Sequence, residues 1–307
     1  MPLLKVQLNH PGNEKPFSIG KGYHNIDGLL IREWNNDEVH YRKFIRNEGE
    51  YLTSLNKQPI KDKLLFWGEW EGNSVFYPNN NLKNRPNGIH VPFHSNINIG
   101  NQNTDPYIYG DFFKYATCSQ TGELVNLLPG SMILFGTTKD IGFELDTVFI
   151  VKKFESAYSV FSNAGTNYSP VYIEETLKQL AETYMGPVPS LNKRLYHSQS
   201  WWDNNEYFSF VPCKLDDNKG FQKALLPIPP MAKQKVGHPY QHLNQVSHIT
   251  LWNFIVDEVL TQGFCLGVKF TEPILNDKIL NGMIFIKSLT NAKCGADSKK
   301  ITPKKSC

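Results

Sequence analysis

Seven short segments rich in β-branched and aromatic residues, "LLKVQLN", "KLLFWGEWE", "SMILFGT", "ELDTVFIVKKF", "YFSFVPCKL", "FCLGVKF" and "MIFIKSL", are spread along the chain. They constrain the fold more than any other feature, because stiff, broad side chains pack well on a pleated surface and lose freedom in a helix. Helical patterns are fewer and do not alternate regularly with these strands. A doubly wound parallel sheet is therefore disfavoured, and the expected class is α+β: a curled, mainly antiparallel sheet with inserted and appended helices.

Three segments carry helix signals. "NNDEVHYRKFIRNEG" offers Asp37 as an N-cap, Tyr41, Phe44, Ile45 and Glu48 on related turns, and Gly49 as a stop, with Arg42, Lys43 and Arg46 on the other face. "SPVYIEETLKQLAETYMGP" places Pro170 in the first turn, then Ile173, Leu177, Leu180 and Tyr184 as an apolar stripe ending at Gly186 and Pro187. "SHITLWNFIVDEVLTQG" starts at Ser247, is apolar around much of its circumference and ends at Gly263, so it should be largely buried. Two long connections, residues 78–104 with nine Asn and the Pro- and His-rich residues 225–246, exceed ordinary loop lengths and are expected to wall a site. Asn also tolerates left-handed turns, which accounts for the Asn count on its own.

The five cysteines are scattered without a CxxC, and no run approaches the roughly 18 apolar residues of a membrane span, so a cytoplasmic, non-membrane protein is expected. The net charge of +3 is misleading as a nucleic-acid signal. Residues 291–307 hold five Lys against one Asp, leaving residues 1–290 near −1, so this tail is expected to be basic and flexible. Any phosphate-binding footprint must be a local patch.

The residues able to carry chemistry cluster in a few stretches. In "FWGEWE" a strand would set Trp67, Glu69 and Glu71 on one face and Phe66, Gly68 and Trp70 on the other. An indole beside a carboxylate suits a nucleobase: the ring stacks, and Glu69 accepts from an exocyclic amine or moves a proton. The competing reading is packing, with Trp70 in the core and the glutamates in water. "IGKGYHNIDG" joins His24, Asn25 and Asp27 in a glycine-punctuated loop; a His beside an Asp can shuttle a proton, while an Asx-turn is the more frequent outcome. Neither a P-loop nor a GxGxxG fingerprint occurs. "NTDPYIYG" presents Asn103, Asp105 and Tyr109 as hydrogen-bonding and stacking groups, although N-T-D-P is turn chemistry first.

Pro92 between His90 and His94 prevents the helix that would align both on a zinc ion, so no metal is expected, and nothing in the chain calls for a cofactor. Cys118 in "KYATCSQ" reads as buried and inert. "YHSQSWWDNNEYF" offers Arg194, His197, Trp201 and Trp202. Adjacent tryptophans cannot both enter one core from an extended segment, so one of them meets solvent, a partner or a ligand.

The Pro129–Gly130 turn, the apolar strand from Met132 to Phe135 and the strand from Thr147 to Val151 resemble the late hairpin of PUA-like barrels, including the ASCH and EVE groups. Ser131 stands where those domains carry Asp. The texture also resembles nucleotide-modification-associated proteins of phages and mobile elements. The resemblance implies a small curled barrel over residues 1–155, an α+β region over 156–290 packed on it, and a pocket near the barrel mouth beside Phe135, Asp146 and Trp67. It also implies recognition of RNA or modified DNA bases, with hydrolysis of modified nucleosides in some ASCH members. The Lys, Thr and Glu arrangement of those hydrolases does not align here.

The combined expectation is a protein that recognises a nucleobase in a nucleotide or nucleic acid, either as a reader or as an enzyme that modifies or hydrolyses it. Its stacking groups would be Trp67 and Trp70, its polar groups Glu69, His24 and Asp27, and its phosphate contacts Arg32, Arg42 and Arg46. The alternative is a non-catalytic protein-interaction module of a defence or mobile-element system, using Trp201, Trp202 and the Pro-rich loop as anchors. A hydrolase of small esters or amides would need a GxSxG elbow, which is absent.

Overall fold

The computed structural model describes residues 3–10, 12–14, 23–32, 41–78, 86–94, 104–116, 120, 122–156, 168–177, 194–227, 240–242 and 246–274. The described chain is mostly β, built on two sheets. The first contains β1 (Lys5–Asn9), β8 (Lys114–Tyr115), β9 (Met132–Lys139), β10 (Gly142–Ser156), β11 (Arg194–Ser198), β13 (Ala224–Leu226) and β14 (Tyr240–His242), in the order β14-β1-β9-β10-β11-β8 with β13 also on β10. The second contains β2 (Tyr23–Ile26), β3 (Leu29–Arg32), β4 (Lys43–Leu52), β5 (Ile60–Gly68), β6 (Ser74–Pro78), β7 (Gly88–Pro92), β12 (Val211–Leu215) and β15 (Cys265–Phe270). Its order is β15-β12-β5-β4-β7-β6-β3-β2, and β15 also pairs with β4.

That extra pairing closes β4, β5, β12 and β15 into a ring of four strands, all antiparallel. Closure satisfies backbone groups that an open edge would leave exposed. The ring joins strands from both sides of residue 155. Its filling comes from alternate positions: Ile45, Leu64, Phe66, Val211, Cys213 and Phe270 belong to one apolar core, in which the Phe66 and Phe270 rings approach to 4.4 Å. Phe44, Leu65 and Trp67, on the alternate positions of β4 and β5, form a separate cluster with Ile89. Only β1–β9 and β4–β7 pair in parallel among the named strands.

Helices are few. Ser247 caps α1 (His248–Thr261) by accepting from the Thr250 amide, and Gly263 follows its end with φ +73°. Leu251, Trp252, Ile255, Val256 and Val259 are buried in one apolar core with Met132, Leu134, Val148 and Ile150 of β9 and β10, as the apolar circumference demanded, and the helix lies beside β13 and β15. At Pro170–Tyr172 a helical turn begins, with Ser169 accepting from the Tyr172 amide, and continues as a π-turn through Ile173–Leu177. The expected remainder, including Leu180, Tyr184 and Gly186, lies outside the described residues.

From Lys43 onward the helix expected to run into Gly49 is replaced by β4, while its expected cap Asp37 lies outside the described residues. Pairing explains the override: β4 bonds β5 along nearly its whole length and β15 and β7 on its other edge, so Phe44 and Ile45 bury on opposite faces. Gly49, read as a helix stop, is a close-approach residue, since a Cβ there would lie 2.5 Å from the Lys269 carbonyl oxygen. The connection 78–104 is likewise not all loop, because β7 inserts within it between β4 and β6. No helix among the described residues is long and apolar enough to cross a membrane. "MIFIKSL", Cys118 and the basic tail lie outside the described residues.

Candidate functional site

β5 ends at Gly68, and Glu69, Trp70 and Glu71 after it are all buried. Glu69 receives a hydrogen bond from the guanidinium of Arg42, the residue just before β4. Arg42 Nε donates across 3.1 Å to Asp146 Oδ2, and the other Asp146 oxygen lies 2.7 Å from Lys223 Nζ. Asp146 reaches inward from an irregularity in β10, whose register with β9 shifts between Leu145 and Thr147. Lys223 Nζ stands 5.6 Å from the Trp67 ring centroid. The fold thus brings Trp67, Glu69 and Asp146 together around two buried cations. Lys43 adds a second pair, donating to the Trp70 carbonyl at 2.6 Å and lying 3.6 Å from Glu71.

This cluster is structural in its geometry. Trp67 is 4% exposed, packs on Phe44 at 5.3 Å and donates through Nε1 to the Phe221 carbonyl at 2.8 Å, so the ring is enclosed and its polar edge is engaged in the protein. Burial pulls the Lys223 ammonium below its ordinary range, opposed by the Asp146 carboxylate. Arg42 is buried among carboxylates, which corrects its expected role as a phosphate contact: a buried guanidinium needs its counter-charges in the protein. The glutamates are not in water either.

The other expected site residues scatter. Trp70 donates to the Asn73 carbonyl and meets Tyr109 edge-on at 5.3 Å in the core. The buried Tyr109 phenol is pushed above its usual range by desolvation and then by the charge of Glu69. Asp105 accepts from the Ala116 amide at 2.8 Å, eleven residues on, so it ties two segments together rather than capping its own turn. Phe135 packs against Tyr115 at 5.4 Å. Arg32 is buried with its guanidinium 5.0 Å from the Tyr23 ring. His24 and Asn25 lie on β2, and Asp27–Gly28 form the tight turn to β3 with φ +50° and +82°. There Asn25 accepts from the Gly28 amide at 3.2 Å, three residues on, so its side chain braces the turn. Asn103 lies outside the described residues.

An open cleft of about 440 Å³ lies elsewhere, where the end of β10, β11 and the following 3₁₀ turn Trp201–Asp203 meet. Its walls include Phe112, Lys152, Lys153, His197, Trp202 and Lys269. The adjacent tryptophans part, Trp201 packing on the core while Trp202 is 40% exposed, but on a 3₁₀ turn rather than the extended segment that the sequence argument assumed. Lys269 Nζ is 2.8 Å from Asp111 and 5.7 Å from the Trp202 ring, and Lys152 Nζ is 2.6 Å from Asp203. These lysine pairs are half-exposed, so their ionic bonds are weak and open readily. A second cleft of about 450 Å³, lined by Gly130, Ile150, Gln199, Asn205, Glu206 and Tyr207, presents no cation.

His197 Nε2 lies 2.8 Å from Glu155 Oε1, and Tyr168 donates to the other Glu155 oxygen at 2.9 Å. The imidazole is flanked by Phe112 at 4.9 Å. Burial drives its pKa from 6.5 down to about 4 against the pull of Glu155, so His197 is neutral at physiological pH. Opposite it in the β8–β11 register, Lys114 is buried with its ammonium 4.7–5.0 Å from the rings of Phe112, Tyr172 and Tyr107. Burial lowers that lysine from 10.5 to about 8, opposed by Glu272 and Asp111. The sequence pointed to His197 and Trp202 through their ring-rich stretch but not to Lys114 or Lys223, whose neighbours come from remote strands.

These features define a β-rich protein with an aromatic, lysine-lined surface cleft. No family model, curated protein or solved structure matches the chain. No grouping of three or more His, Cys, Asp and Glu side chains suited to a metal occurs among the described residues.

Proposed function

We propose that the protein recognises a nucleobase, within a nucleotide or nucleic acid, in the Trp202 cleft. One observation carries this: a half-exposed indole forms part of a concave wall that also holds Lys152, Lys153 and Lys269, with Asp203 and Asp111 as the exchangeable partners of the first and last. An exposed indole face stacks a base for roughly 1–3 kcal/mol, and flanking ammonium groups attract phosphate. A volume of about 440 Å³ falls in the range of small-molecule sites. The stacking role first read into Trp67 passes to Trp202, because Trp67 is enclosed. The PUA-like reading rests on the β9–β10 hairpin after Gly130 alone, since the closed ring lies in the other sheet and takes β12 and β15 from beyond residue 155.

A protein partner anchored on Trp202 is the competing reading, and the concavity of the site favours a small planar group over a flat interface. The test is direct binding of nucleoside monophosphates and short single-stranded oligonucleotides to the wild type, Trp202→Ala and Trp67→Phe. Binding lost in Trp202→Ala and retained in Trp67→Phe supports the proposal. Absence of binding at millimolar nucleotide, or binding indifferent to Trp202, overturns it.

A further inference from the structure

The three lysines of the Trp202 cleft are not held alike. The register of β10 with β11 slips between Val151 and Lys153, so Lys152 is an extra residue with no opposite number. Lys152 and Lys153, which a regular strand would send to opposite faces, consequently both line the cleft. Lys152 Nζ is 2.6 Å from Asp203 and Lys153 Nζ is 3.6 Å from Glu155. Both carboxylates are anchored, Asp203 by the Ser200 amide and hydroxyl and Glu155 by the Tyr168 hydroxyl. Lys269 comes from β15, in the other sheet. Its ammonium is 2.8 Å from Asp111 and stands over the Trp202 ring, 5.7 Å from the centroid. The Asp111 side chain is 83% exposed, so it returns to water at little cost when the lysine leaves. Lys269 is thus the cation most easily moved, and it occupies an indole face within the cleft.

We infer that Lys269 is a displaceable cover on Trp202, and that it makes the cleft select phosphorylated nucleotides over free nucleosides. The inference rests on the nucleobase reading above and adds to it a specificity residue and a substrate class. A nucleoside that stacks on the indole must push the ammonium off the ring and gives it nothing in return. A nucleotide brings its own acceptor: a phosphate oxygen forms a charge-assisted hydrogen bond with the ammonium, which outweighs a weak cation–π contact at an exposed ring. Lys152 and Lys153, side by side at the bulge, add to the attraction for phosphate without standing in the way of the base.

The test measures dissociation constants of adenosine, cytidine, guanosine and uridine, each beside its 5′-monophosphate, for the full chain and for Lys269→Ala, Lys153→Ala and Trp202→Ala. The wild type should bind at least one monophosphate about tenfold or more tightly than its nucleoside. Lys269→Ala should narrow that ratio from both ends, weakening the monophosphate about tenfold and strengthening the nucleoside about two- to fivefold, because the cover is gone. Lys153→Ala removes a cleft charge that pairs with Glu155, so it should weaken the monophosphate and leave the nucleoside unchanged. The wild-type comparison needs no variant, so misfolding of Lys269→Ala cannot mask the answer. Equal binding of nucleoside and monophosphate to the wild type, with Trp202 still required, overturns the role of Lys269 and leaves the stacking site intact. Nucleoside affinity that is unchanged or lower in Lys269→Ala overturns it too, since the lysine then only adds charge. Binding of oligonucleotides without any mononucleotide also overturns it. Silence of every nucleoside, nucleotide and oligonucleotide overturns both readings.

Discussion

Replacing Lys114 by Met should change how stability depends on pH over a defined window. The Lys114 side chain is 5% exposed, its ammonium is ringed by Tyr107, Phe112 and Tyr172, and burial lowers its pKa from 10.5 to about 8. Below pH 8 the lysine is charged in both the folded and unfolded states, and the folded state bears the cost of burying that charge. Between pH 8 and 10.5 the unfolded chain keeps its proton while the folded protein releases it, so stability rises with pH. The full difference corresponds to about 3 kcal/mol. Burial of the Tyr107 and Tyr172 phenols, which raises both, acts with the opposite sign from about pH 10 upward, so the rise is cleanest between pH 8 and 10. Urea unfolding at pH 7, 8, 9 and 10 reads this directly. The difference between the wild type and Lys114→Met cancels groups that titrate alike in both. The variant should gain relative stability at pH 7 and show a flatter profile above pH 8. Parallel profiles across the window would refute the buried-charge account.

Other perturbations separate core from cleft. Arg42→Met strands Glu69 and Asp146 in the interior and should cost about 3–5 kcal/mol in denaturant unfolding; a cost under about 1 kcal/mol would show that the cluster tolerates its loss. Trp67→Ala should destabilise by about 3–5 kcal/mol, whereas the exposed Trp202→Ala should stay near or below about 1 kcal/mol, and the reverse order in thermal unfolding would overturn the assignment of core and surface. His197, lowered from 6.5 to about 4, stays neutral in the folded state while the unfolded ring takes up a proton, so stability falls as pH drops from 6.5 towards 4. His197→Phe should remove part of that acid sensitivity, and an unchanged slope would contradict it.

Much of the architecture was legible because it rests on local signals. α1 carries its cap, stripe and stop within 17 residues, and six of the seven strand segments coincide with strands, the last lying outside the described residues. β4 was illegible for the opposite reason: its local pattern fits a helix, and only strands from distant parts of the chain settle it. The site followed the same division. The alternation of Phe66 and Trp67 was readable, and so was the parting of Trp201 from Trp202. That Glu69 would be neutralised by Arg42 was not, since the two meet through strand pairing rather than spacing. Lys114, Glu155 and His197 are likewise assembled from three separate strands.

Closing the ring with β15 has a consequence for biosynthesis. β4 finds its β5 partner almost at once, a hairpin of low contact order, and β7 soon after on part of its other edge, but the stretch Gly49–Leu52 of that edge waits until residues 265–270 have been made. At roughly 5–20 residues per second, that interval is on the order of ten to forty seconds on the ribosome. During it the nascent hairpin carries an unsatisfied edge with Gly49 at its middle, the place where the Lys269 backbone will later seat. Closure of the ring is therefore a late event, and a chain arrested before β15 leaves Gly49–Leu52 of β4 without the partner that covers them in the folded protein.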